Sequence, residues 1–161
     1  MRRFFLIGVV LLLVFPATAF AGASSIGDGS LAVSNANVKS IVVVGHGLIY
    51  GYVDRGAVTV ISYTPDDSNQ FQISGAATPT KPATGGTRYV GSALRFLISG
   101  TYTLKFEGWG INLSAVGKGT AMANGADPLT SPTDGTLSVN GGKLQSLSST
   151  QTLAAFGSST H

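Results

Sequence analysis

Apolar and polar residues alternate along this chain in short runs, and glycine separates the runs. The clearest run is 101–107. Tyr102, Leu104 and Phe106 take one face, while Thr101, Thr103, Lys105 and Glu107 take the other. That period of two belongs to a strand buried on one side and wet on the other. Further runs at 30–34, 40–44, 48–53, 57–63, 71–74, 88–90, 93–98, 110–116, 120–123, 136–140, 143–147 and 152–156 read as strands. Beyond residue 21 no sustained 3.6-residue period appears, so no helix is expected. The pattern predicts an all-β domain, a pseudo-twofold sandwich or barrel of short glycine-punctuated strands. A short β-solenoid is the alternative.

An internal repeat underlies the twofold expectation. Gly45-His46-Gly47 is followed by eight residues and Gly56; Gly108-Trp109-Gly110 is followed by eight residues and Gly119. All three glycines recur at an offset of 63, and a basic residue, Arg55 or Lys118, precedes the last of each set. Leu31, Val33, Ile41 and Val43 match Leu94, Phe96, Leu104 and Phe106; Leu48 and Val53 match Ile111 and Val116. The repeated unit covers 29–60 and 92–123. Gly45, Gly47, Gly56, Gly108, Gly110 and Gly119 are expected at structural turns or strand junctions, where a missing Cβ permits unusual backbone angles. Val42 and Val44 fall where the second copy has Lys105 and Glu107. They are expected under the cover of the middle segment or of a partner. Between the copies, Pro65-Asp66-Asp67-Ser68-Asn69 signals a turn, and 78–86 a loop. Residues 126–132 form another loop, Asn140-Gly141-Gly142 reads as a hairpin turn, and the tail 157–161 is expected to fray.

The first 21 residues change the picture of where the protein works. Arg2 and Arg3 precede an apolar run from Phe4 to Phe15, then Pro16 and the small-x-small triplet Ala19-Phe20-Ala21. This is the form of a secretory signal cut after Ala21, with a retained anchor as the rival. It leaves 22–161 as one domain, with no transmembrane span. There is no cysteine, which excludes disulfides and a lipoprotein anchor. Without Arg2 and Arg3 the chain carries eight basic and seven acidic residues. No basic cluster exists, so nucleic acid is not an expected partner. Charged residues make up 11% of the chain, well under the ~25% of an average soluble domain.

Candidate chemistry is sparse. Gly45-x-Gly47-x-x-x-Gly51 lacks the following helix that a dinucleotide loop needs. One internal histidine and no His-x-x-x-His leave too few ligands for zinc. No Gly-x-Ser-x-Gly elbow is present. His46 aligns with Trp109, and indole transfers no proton, so the two share at most a bulky side chain. No catalytic residue, cofactor or metal site is therefore assigned. Val42, Val44, His46 and Trp109 remain as candidates for a ligand or partner surface; Trp109 and the tyrosines could stack on sugar rings, although their alternation with polar residues makes the core their default place.

The segments Gly108–Gly119 and Gly45–Gly56 resemble a group of uncharacterised exported bacterial proteins. Those carry Gly-x-Gly-apolar-x-Leu-Ser-Ala-Val-Gly-x-Gly after an alternating strand. The matching residues are Gly108, Gly110, Ile111, Leu113, Ser114, Ala115, Val116, Gly117 and Gly119. The resemblance implies a β fold and an envelope location, and brings no activity. The expected function is that of an exported, non-enzymatic envelope or extracellular protein, structural or binding a polymer or protein partner. The alternative is a secreted hydrolase built from scattered Asp, Ser and His46.

Overall fold

The computed structural model describes residues 28–125, 135–147 and 150–157. The leader, the loop at 126–132 and the end of the tail fall wholly or partly outside them. The described chain is all-β, as the alternation predicts, but its two main strands are not short. Strand β1 runs from Gly29 to Pro65 and β3 from Thr87 to Gly125, 37 and 39 residues without a break. The others are β2 (Phe71–Ala76), β4 (Thr136–Val139), β5 (Gln145–Ser146) and β6 (Gln151–Phe156).

The ladder explains how such long strands stay compact. Val43 and Val60 both pair with Leu104, one on each side; Leu94 and Ile111 both pair with Val53. Seventeen extended residues span ~56 Å, yet two residues flanking a third lie only ~10 Å apart. Each strand must therefore curl through a full turn between such residues. β1 and β3 form an antiparallel ribbon rolled so that successive turns pair with each other. β2 extends the roll beside β3, β4 beside β1, and β6 beside the end of β3. The sheet stays open and does not close into a barrel. It shares stacked turns with a solenoid, but neighbouring turns run antiparallel because β1 and β3 alternate.

The six glycines expected at turns all lie inside β1 or β3. Their role is close approach between turns of the roll. Gly45 pairs with Gly119 and Gly56 with Gly108, two pairs that the 63-residue offset exchanges. A Cβ on Gly108 would lie 2.2 Å from the Arg55 carbonyl oxygen and 2.7 Å from the Gly56 Cα. The middle segment, read as an insert, also has a counterpart: the offset carries 73–76 of β2 onto 136–139 of β4.

The repeat departs from symmetry in one respect. Val53 is fully buried, whereas Val116 is 42% exposed. Between Phe106 and Ile111, both buried, the register slips at Gly108, and inward positions change from even to odd. In β1 the same change falls later, between Val53 and Val58. A one-residue bulge flips every following side chain, so the matched residues 48 and 111, and 53 and 116, do not share an environment.

Inside the roll, Leu31, Ile41, Val43, Ile49, Val58, Leu94, Ile98, Leu104, Phe106, Ile111 and Phe156 form one buried cluster. Phe96 and Phe106 meet with ring centroids 4.9 Å apart. Tyr102 is buried among them, and its hydroxyl finds no partner among the described residues. Burial pushes that phenol's pKa up. An unpaired buried hydroxyl costs about 1–3 kcal/mol. Tyr102→Phe is thus expected to raise stability by about 1 kcal/mol, read as a higher urea midpoint; a lower midpoint would reveal a partner for the hydroxyl.

Candidate functional site

Among the described residues, two clefts on the outer surface of the roll take in two of the sequence candidates, His46 in one and Trp109 in the other. The first, of about 490 Å³, is lined by Asp28, His46, Asp66, Ser68 and Ser99 among others. His46 is exposed, and its Nδ1 lies 3.0 Å from Thr101 Oγ1, across the strand. Lys118 stands opposite on its other side. Asp66 is held elsewhere. Its Oδ1 accepts hydrogen bonds from Ser68 Oγ at 2.6 Å, Ser99 Oγ at 2.9 Å and Ser68 N at 3.0 Å. The turn expected at 65–69 is closed by Asn69 N donating to the Asp66 carbonyl oxygen at 3.0 Å. These groups share a wall, but His46 bonds neither Asp66 nor either serine among the described residues.

The hydrogen bond from Ser68, with those from Ser99 and the loop backbone, holds the Asp66 carboxyl below the usual carboxylate range despite some desolvation. A depressed folded value stabilises the fold above the unfolded value and loses that contribution as pH falls through the folded one. The stability difference between the wild type and Asp66→Asn is therefore expected to be largest near neutrality. It should shrink once pH falls below about 4. Denaturant titrations of both proteins from pH 6 to pH 2 check this; a difference constant across the range would contradict the role given to the carboxylate.

The second cleft is a groove of about 600 Å³. Three adjacent rows of the ladder build it. On one bank Ser92, Arg55 and Trp109 stand side by side on neighbouring strands. On the other stand Val90, Ala57 and Glu107. Between them Gly91, Gly56 and Gly108 are paired in that order, so the floor is bare backbone. Trp109 is 49% exposed and Val90 45%. Arg88 and Lys105 both form ion pairs with Glu107, the latter at 2.7 Å. Burial alone would raise the Glu107 pKa, but hydrogen bonds from Lys105 and Arg88 outweigh it and hold the carboxyl below its usual range. Arg55 forms no ion pair among the described residues.

Comparison of the chain with protein-family models, with curated proteins and with solved structures finds no match. An exposed indole offers an apolar face for stacking, and a guanidinium beside it offers a forked donor.

The structure brings Trp109 into the groove and leaves His46 in the other cleft. Val44 is 47% exposed between Thr103 and Thr120. Val42 is half-buried between Lys105 and Met122, and Met122 pairs with the exposed Leu153. The middle segment does not cover these valines; β2 lies beside 91–98 instead. Nothing in the apolar pattern or the repeat groups Arg88, Gly91 and Ser92 with Trp109. Arg55 carried a signal, as the base before a repeated glycine, but its position opposite Trp109 is a property of the ladder. No helix among the described residues is long and apolar enough to cross a membrane.

Proposed function

We propose that this is an exported, non-enzymatic protein of the cell envelope or extracellular space that binds a polymer through the Trp109 groove. The leader at 1–21 supports export. The observation that carries the binding reading is the groove itself: an exposed indole and a guanidinium without an ion pair among the described residues, beside a side-chain-free floor. Its central strand, at Arg55, Gly56 and Ala57, is paired on both edges, so the floor is ordered before any ligand arrives, which lowers the ordering cost of binding.

The hydrolase reading draws on the His46 cleft, where Asp66, Ser68 and Ser99 lie together. It needs a proton path from a nucleophile to His46. The hydrogen bonds of His46 and Asp66 run to other groups, which favours binding. One experiment separates the two readings. Cell-wall and polysaccharide fractions are incubated with the wild type, Trp109→Ala and His46→Ala, and retention and release of reducing ends are both measured. Retention lost in Trp109→Ala and kept in His46→Ala is expected, with no release. Release abolished by His46→Ala would establish the hydrolase instead.

A further inference from the structure

Resting on that reading, we propose that the groove's ligand is an acidic polysaccharide, its ring stacked on Trp109 and its carboxylate paired with Arg55. Arg55 and Trp109 are directly opposed on neighbouring strands. Opposed residues lie ~5 Å apart and point to one face. A ring lying on the indole therefore places an equatorial substituent beside the guanidinium. The charge of the groove favours an anion. Its ionisable lining is Arg55, Arg88 and Glu107. Arg88 is committed to Glu107, which Lys105 also contacts. Arg55 is left as the one lining cation without a carboxylate among the described residues, and a guanidinium takes a carboxylate in a fork. Across the glycine floor the ion-paired Glu107 carboxylate can accept from sugar hydroxyls, and Ser92 on the near bank can accept or donate.

Other occupants fit less well. A peptide gains most by adding a strand to a sheet edge. Here β1 is paired on both edges, Gly56 to Gly91 and to Gly108, so no main-chain bond is on offer. Nucleic acid needs several phosphate contacts, and the groove has one unpaired cation.

Trp109 is the sole tryptophan of the chain, so its fluorescence reports this groove alone. Four ligands are titrated against the protein: polygalacturonate, its neutral methyl ester, chitin oligosaccharides and polyglutamate. Polygalacturonate is expected to shift the emission and to bind at least tenfold more tightly than the ester. Polyglutamate, which has charge but no rings, should leave the emission unchanged. Arg55→Gln, with an unaltered circular dichroism spectrum, should bring the acid and the ester to equal affinity. Equal affinities in the wild type, or a response to chitin oligosaccharides alone, would overturn the acidic preference and leave polymer binding standing. Polyglutamate binding as tightly as polygalacturonate would overturn the stacking role. No response to any of the four would overturn this inference and the binding reading together.

Discussion

Gly117→Ala is expected to remove a large share of the protein's stability. Gly117 sits in β3 with φ +136°, a backbone region that L side chains rarely adopt. A Cβ there would lie 2.1 Å from the His46 carbonyl oxygen and 3.0 Å from the Gly47 Cα. Both are backbone atoms of the next turn of the roll, so no side chain can rotate away. Relief would require the two turns to separate, and they are joined by the ladder that defines the fold. Strain of this kind with loss of ladder bonds is expected to cost more than ~3 kcal/mol. That is a large share of the ~5–15 kcal/mol that holds a domain together. Gly141→Ala is the control. Gly141 also has positive φ, +66°, but nothing lies within 4 Å of its Cβ position. The backbone penalty alone, about 1–2 kcal/mol, should remain. Urea midpoints of the two variants separate clash from conformational cost. Equal losses would mean that the turns of the roll are not in contact at Gly117.

The largest functional effect is expected from Trp109→Ala. A stacked indole at the centre of a binding surface commonly contributes 2 kcal/mol or more to affinity. The variant is therefore expected to lose about thirtyfold or more in polymer affinity. Its stability should change little, since Trp109 is half exposed and is no member of the buried cluster. Tyr50→Ala and Tyr52→Ala make the comparison. These tyrosines are 44% and 41% exposed and lie on β1 outside the groove's lining. Binding by the two tyrosine variants should equal that of the wild type. Affinity lost equally in all three would place the ligand across the whole outer face rather than in the groove.

The alternation along the chain was enough to read an all-β fold, the inward residues of 101–107 and the turns at 65–69 and 140–142. Those depend on local geometry. Tyr102, Leu104 and Phe106 are buried as their period requires, and Gly142 N donates to the Val139 carbonyl oxygen at 2.8 Å across the expected hairpin. The length of the strands was not legible. Glycine ordinarily weakens a strand, so its recurrence reads as punctuation. Here opposed glycines let one turn of the roll lie against the next, and pairing continues through them. The burial of matched residues was not legible either. A bulge at Gly108 displaces the alternation by one, and nothing in the apolar pattern alone marks which glycine carries it. The groove required the same missing information. Trp109, Arg55 and Ser92 come from three separate stretches, and only the register between β1 and β3 sets them in one row. The aromatic residues divide by the same rule: Tyr102, Phe106 and Phe156 enter the core, while Tyr50, Tyr52 and Trp109 face out.

The central claim is that this rolled ribbon presents one ligand surface, the glycine-floored groove beside Trp109. Amide and indole chemical shifts of the isotope-labelled protein, followed while polygalacturonate is added, test it most directly. The account predicts that the Trp109 indole and the amides of Gly56, Gly91, Ser92 and Gly108 move together and saturate at one ligand concentration, with His46, Tyr50 and Tyr52 unmoved. Shifts centred on His46, Asp66 and Ser99, with the glycine row unchanged, would contradict it.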